Sequence, residues 1–211
     1  MPVFILNEQN DPYTTGRQGW WKYSGDALDY SGYGRHMSEA STTYVTNYNG
    51  VGKAIVKEGG HTACSFVSVG HLSFYFWLNA PTFVNPVTYC SHYGAVNRGF
   101  RLRLNSTNWQ LIFGNDSNTT TMENTHGLSI NTWYHIAVMF DYTHIVTRYF
   151  VNGISVNNSS SPSLYWSLPE PEIDLYVSNT PYNSYISDFR FHTDFPSDYA
   201  STAHSIYKYI G

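Results

Sequence analysis

Two consecutive stretches decide the fold: Trp133-Tyr134-His135-Ile136-Ala137-Val138-Met139-Phe140-Asp141, and Arg148-Tyr149-Phe150-Val151-Asn152-Gly153-Ile154-Ser155-Val156. In the first, Ile136, Val138 and Phe140 oppose His135 and Ala137, the period of two that marks a strand with one face buried. In the second, Asn152-Gly153 divides Tyr149-Phe150-Val151 from Ile154-Ser155-Val156. A two-residue type I′ turn needs positive φ twice, which Asn and Gly tolerate, so this segment is a β-hairpin.

The same alternation extends outward. In His71 to Asn79, Phe74, Phe76 and Leu78 share one face, while Ser73, Tyr75, Trp77 and Asn79 share the other. In Gly99 to Leu104, Phe100, Leu102 and Leu104 oppose Arg101 and Arg103. Turn-forming clusters separate the strands at residues 115–119, 157–162 and 178–181. Only the tail reads as helix, with Ser197 capping a short turn from Asp198 towards Ser205, just after Pro196. No repeat or linker divides the chain, so an extended segment over residues 1–24, a docking arm or an edge strand, precedes one domain over 25–211.

Composition agrees with sheets. Aromatic residues form 18% of the 211, including 19 Tyr and 12 Phe, and charged residues form 12%, so sheet-forming side chains dominate. The 11 Lys and Arg are scattered in a chain of net charge -4, which gives no stripe to neutralise phosphates and excludes nucleic acid as an expected partner. No apolar run approaches the ~20 residues of a membrane span, so no membrane insertion is expected. The start, Met1-Pro2-Val3-Phe4-Ile5-Leu6-Asn7, lacks the basic and long apolar regions of a secretory signal, so no signal peptide and synthesis in a cytoplasm are expected. Cys64 and Cys90 are too few for a disulfide scaffold and are expected as free thiols.

The Trp133–Val138 strand, Asp141 and the Arg148–Gly153 strand and turn resemble the core signature of laminin G-like domains of the concanavalin A-like lectin/glucanase superfamily. Leu28-Asp29-Tyr30-Ser31-Gly32-Tyr33-Gly34-Arg35-His36 resembles the family's opening segment, Phe74–Leu78 its first central strand, and Ile186-Ser187-Asp188-Phe189-Arg190-Phe191 its closing strand. The resemblance spans roughly residues 25 to 207 and implies an all-β fold: a two-sheet antiparallel jelly-roll sandwich with one short C-terminal helix. The chain departs from the family at Val177-Ser178-Asn179 and Tyr185, where glycines are usual, and lacks the cysteine pair of the pentraxin branch. A pentraxin-like calcium site is therefore not expected.

Several chemistries have candidate residues in the chain. Glu170-Pro171-Glu172-Ile173-Asp174-Leu175-Tyr176 resembles the catalytic strand of glucanases of this fold, but Tyr176 and Val177 stand where the second glutamate belongs. A retaining pair needs two carboxylates about 5 to 5.5 Å apart, so no catalytic residues are assigned and no enzyme is expected. Calcium is the one cation with candidate oxygens, from Asn115-Asp116-Ser117-Asn118 with Asp141, Asn152 or Asp174. Turn chemistry accounts for that loop without an ion, so no metal or cofactor is assigned. The nine histidines show no zinc spacing, and no Gly-x-Ser-x-Gly nucleophile setting occurs.

Binding has better residues. Trp20, Trp21 and Tyr23 precede the first core strand, and Tyr93, Trp109, Tyr165, Trp166, Tyr182 and Tyr185 lie at loops or strand ends. Such rings suit sugars or protein surfaces, or else fill a wide core, the reading preferred for Trp77, Trp133 and Phe140. The ligand-binding candidates are Asn115, Asp116, Trp166, Asn179, Tyr182 and Tyr185, and the docking candidates are Phe4, Ile5, Trp20 and Trp21. The leading expectation is a non-enzymatic recognition or assembly protein of a phage or virus: a capsid decoration, head fibre or tail fibre tip located on the virion. Its expected partners are a capsid or tail protein or a cell-surface glycan, and it is expected to form a homo-oligomer. A stand-alone carbohydrate-binding lectin module is the second reading and a glycoside hydrolase of the same fold the third, because the fold alone does not fix the function.

Overall fold

The alternating strands assemble as two antiparallel sheets. The computed structural model describes residues 16–23, 25–37, 43–46, 48, 50, 53–56, 61–63, 70–83, 87–93, 99–115, 117–165, 174–179, 184–194 and 196–210. In chain order the strands are β1 (Arg17–Trp21), β2 (Thr43–Thr46), β3 (Lys53–Val56), β4 (His61–Ala63), β5 (Leu72–Asn79), β6 (Val87–Tyr93) and β7 (Gly99–Leu104). There follow β8 (Asn108–Asn115), β9 (Asn118–Thr125), β10 (Trp133–Asp141), β11 (Val146–Val151), β12 (Ile154–Ser160), β13 (Asp174–Asn179), β14 (Tyr185–His192) and the helix α1 (Tyr199–Ile210). Among the described residues one sheet has eight strands in the order β12-β11-β10-β5-β14-β3-β2, with β1 beside β14, and the other has six in the order β4-β13-β6-β7-β8-β9. This is the expected jelly-roll sandwich with one C-terminal helix.

The main core lies between the sheets. Phe74, Phe76, Leu78, Ile136, Val138, Phe140 and Phe189 from the larger sheet meet Phe100, Leu102, Leu104, Trp109, Leu111, Phe113 and Met122 from the smaller. These are the faces that the period of two marks. Trp109, read as a residue of a strand end or loop, is 1% exposed at the core, because β8 begins before it and turns it inward.

A second apolar layer forms on the outer face of the eight-stranded sheet, the face turned away from its partner. Tyr75, Trp77, Ala137, Met139 and Phe150 are covered there by Ala203 and Ile206 of α1. Both faces of β5 are thus occupied, and seven of its eight residues are buried. The helix is longer than expected, and its cap is Asp198 rather than Ser197: the Asp198 carboxylate accepts the Ser201 N–H at 3.1 Å. Arg148 lies 4.1 Å over the Tyr199 ring and fastens the first turn to β11. The hairpin has φ of 52° at Asn152 and 74° at Gly153, as its type I′ reading requires. A Cβ at Gly153 would stand 2.9 Å from the His204 Cα, so glycine also admits the helix.

Trp20 and Trp21 correct the docking expectation. Both are fully buried within this chain, because β1 pairs with Phe189 to His192 of β14. Trp21 enters the main core against Phe189 at 6.0 Å, and Trp20 packs over Arg190 on the outer face. Neither ring is available to a neighbouring subunit. Phe4 and Ile5 lie outside the described residues. Cys90 is buried in the main core, and Cys64 lies outside the described residues.

Phe76 is fully buried and touches Tyr89, Trp109 and Phe189 with ring centroids 6.2, 6.1 and 5.5 Å away. Phe76→Ala is expected to lower stability by about 3–5 kcal/mol, measured by urea unfolding at neutral pH.

Candidate functional site

Three adjacent strands place one row of side chains at the end of the outer face. Trp133 of β10, Asn79 of β5 and Tyr185 of β14 are in register, and His135, Trp77 and Ser187 form the next row on the same face. The Trp133 and Tyr185 rings are 6.3 Å apart. Tyr48, which follows β2, stacks on Trp77 at 4.0 Å and meets Trp133 edge-on at 6.2 Å. From the other side Tyr207 of α1 lies 6.0 Å from Trp77 and 5.9 Å from His135. Tyr48, Trp133, Tyr185 and Tyr207 are partly exposed, so this ring cluster reaches the surface between α1 and the β2–β3 connection.

Polar atoms lie among these rings without partners. The Asn79 Oδ1, the Trp77 Nε1 and both ring nitrogens of His135 are buried and accept or donate no hydrogen bond. His135 is completely buried, and this burial, with Arg190 adding to it, pushes its pKa down to about 3. A neutral imidazole carries one donor and one acceptor, so the patch offers two donors and two acceptors. Each buried polar group left unpaired costs about 1–3 kcal/mol. Aromatic faces around a few convergent polar atoms match a ligand that is both ring-shaped and hydroxylated, or ordered water.

Of the ligand-binding candidates, the structure places Tyr185 in this patch. Asn115 lies in the other sheet at the β8–β9 turn, where its Oδ1 accepts the Asn118 N–H at 3.2 Å. Asn179 is on β13 in register with Thr88, also in the six-stranded sheet. These positions do not converge with Tyr185 on one sheet. Asp116, Trp166 and Tyr182, and Glu172 of the glucanase-like segment, lie outside the described residues.

Two of the cation candidates, Asp141 and Asn152, are engaged by local structure, and Asp116 lies outside the described residues. Asp141 accepts the N–H groups of Thr143 and His144 at 3.0 and 3.3 Å and pairs with His144 Nδ1 at 2.6 Å. Asn152 Oδ1 accepts the His135 N–H at 2.9 Å. Among the described residues no group of three or more His, Cys, Asp or Glu is placed to hold a metal ion. Sequence reasoning took Trp77 and Trp133 as core filler and singled out neither Tyr48, Asn79, His135 nor Tyr207 for binding. The signal present was the double aromatic pattern of Ser73 to Asn79, which requires cover on both faces.

The family model described as the concanavalin A-like lectin/glucanases superfamily, of laminin G type, matches residues 56–198. Among curated proteins no sequence match was found. The fold is similar to solved receptor-binding domains of botulinum neurotoxins. The type G domain has a TM-score of 0.69 at 16% identity, covering 92% of this chain and 51% of that one. The binding domain of neurotoxin DC in complex with SialylT has a TM-score of 0.71 at 12% identity, covering 94% and 52%. The same domain in complex with rat synaptotagmin II has a TM-score of 0.73 at 11% identity, covering 94% and 53%. The chain spans about half the length of these domains, and at such identities the likeness is one of fold.

The state of His135 gives a pH dependence. Above its ordinary pKa of about 6.5 the residue is neutral in both the folded and unfolded chain; below it only the unfolded chain takes a proton, until about pH 3. Stability therefore falls as pH drops through that window. Between pH 7 and 5 the wild type is expected to lose about 2 kcal/mol more than His135→Phe, read from urea unfolding at the two pH values.

Proposed function

The chain belongs to the concanavalin A-like lectin/glucanases superfamily, and from that premise we propose that it is a non-enzymatic recognition domain that binds a saccharide on the outer face of its eight-stranded sheet. The row Trp133–Asn79–Tyr185, with unpaired polar atoms beside half-exposed rings, is the observation that carries this reading. A pyranose has an apolar face that stacks on an aromatic ring and an edge of hydroxyls that donate and accept. The hydroxyls would satisfy Asn79 Oδ1 and Trp77 Nε1, and the face would lie on Trp133 or Tyr185. Two of the solved neighbours are complexes, one with SialylT and one with synaptotagmin II, and a surface-recognition role for this chain is in keeping with them.

A non-enzymatic role is supported by the sequence of the glucanase-like strand, where Tyr176 and Val177 replace a second carboxylate. The setting we propose is a virion surface, as a capsid decoration, head fibre or tail fibre tip. Its support is compositional: a chain rich in Tyr, Asn, Ser and Thr and poor in charge.

A glycan array followed by calorimetry on the best binder tests the reading. Trp133→Ala and Tyr185→Ala are each expected to weaken binding about tenfold or more, in the range of losing a stacked ring at a binding site. Trp109→Phe, a core change, is expected to leave affinity unchanged. A well-folded chain that binds no glycan, or whose binding ignores both ring deletions, overturns the proposal.

A further inference from the structure

Trp133 and Tyr185 stand on the two strands that flank β5, so their Cα atoms are two strand spacings, roughly 10 Å, apart with Asn79 between them. Their ring centroids are only 6.3 Å apart, so the rings lean together above Asn79. Each is the first residue of its strand and is partly exposed, and Asn79 is the last residue of β5. The row therefore crosses the ends of three strands.

The geometry of this pair limits what it can hold. A sugar ring sandwiched between two aromatic faces needs a contact of about 3.5–4.0 Å on each side, roughly 7–8 Å in all. The 6.3 Å between the two rings leaves no room for one. The ring planes differ by 44°, so one pyranose cannot lie flat on both. Two neighbouring rings of a glycan can, because rotation about the linkage sets their planes at an angle to each other. The next row inward is closed. Trp77 is 7% exposed and His135 is fully buried, with Tyr48 stacked on Trp77 at 4.0 Å and Tyr207 5.9 Å from His135. A glycan on the patch is thereby directed along the row, across the strands.

We propose that the patch reads two consecutive sugar rings of an oligosaccharide, one on Trp133 and the other on Tyr185, with their linkage over Asn79. This assignment rests on the saccharide-binding role proposed for the same face and gives it a ligand class: a run of linked sugars in place of a single terminal one. Asn79 Oδ1, buried and without a hydrogen-bond partner, accepts from a hydroxyl beside the linkage. A monosaccharide meets one aromatic ring at a time. Linking two sugars makes the second contact intramolecular, so the disaccharide gains affinity steeply.

Calorimetry on the full chain tests it with three probe series, β-1,4-linked glucose, galactose and mannose, each taken from the monosaccharide to the tetrasaccharide. In at least one series the disaccharide is expected to bind about tenfold or more tighter than its monosaccharide, with little added by longer members. Trp133→Ala and Tyr185→Ala are each expected to remove that gain and bring the disaccharide down to the affinity of the monosaccharide. Thermal melts accompany both variants, and the length dependence of the wild type decides the matter if either unfolds. A monosaccharide that binds as tightly as its oligomers, a gain that begins only at the trisaccharide, a gain that survives in a folded variant, or no binding in any of the three series overturns this inference. Binding to other glycans on the array, lost with either ring, would still leave the saccharide-binding role standing. A well-folded chain that binds nothing on the array either removes both.

Discussion

The charge of Arg190 has to be accommodated in a place without water, and much of the larger sheet is arranged around that requirement. Its side chain is completely buried on the outer face. Burying an unpaired guanidinium is costly enough that a partner must be supplied. Asp188 supplies it at 3.2 Å, although residues two apart on a regular strand would make a poorer pair. Asp188 reaches it because β14 bulges: its φ is 50°, and the pairing with β5 shifts between Ser187 and Arg190. The bulge also divides β14, so that Tyr185 and Ile186 pair with β3 while Phe189 to His192 pair with β1. Trp20 closes the arrangement, with its Nε1 donating to Asp188 and its ring 4.4 Å from the Arg190 guanidinium. Recruitment of β1 into the sheet follows from this cluster, and Trp20 is therefore internal.

The same charge reaches the aromatic patch. Arg190 adds to the burial that keeps His135 neutral, and Asp188 adds to the burial that raises the Tyr48 phenol above its usual range. His135 and Tyr48 both touch Trp77. The patch thus lies at one end of β10, β5 and β14, and the buried ion pair lies farther along β14. Strand register fixes the spacing between them. A site built from strands keeps its geometry better than one built from loops, so less order must be imposed when a ligand arrives.

The inner half of this architecture was legible in the sequence, and the outer half was not. Phe100, Leu102 and Leu104 or Ile136, Val138 and Phe140 alternate against polar or small residues, and a period of two is a local property. Asn152-Gly153 carried its turn for the same reason. The row Trp133–Asn79–Tyr185 joins three positions scattered along the chain, and only pairing of distant strands brings them together. No local rule marks Asp188 for positive φ, since Asp is tolerated there without being required. Asn and Asp cluster in the loop tips as they would around a ligand, but Asn115 is accounted for by the turn it makes. Trp20 and Trp21 read as available because nothing near them in sequence shows what covers them.

Local rules and the fold agree across most of this chain, and where they disagree the disagreement is informative. In the main core, polar atoms that must be buried often find partners: Tyr149 Oη donates to the Met122 carbonyl at 3.1 Å, and Tyr89 shares a hydrogen bond with Ser184 at 3.1 Å. Tyr23 Oη and Trp109 Nε1 are exceptions there. On the outer face four such atoms, from Asn79, Trp77 and His135, fall in two neighbouring rows. At about 1–3 kcal/mol each, their combined cost is comparable to a large part of the stability of a domain. An apolar residue such as Leu or Phe at position 135 would remove two of them and keep the strand. Packing alone therefore does not account for histidine at that place, between Trp77 and Tyr207. A hydroxylated group bound as proposed above would complete those hydrogen bonds and so account for it.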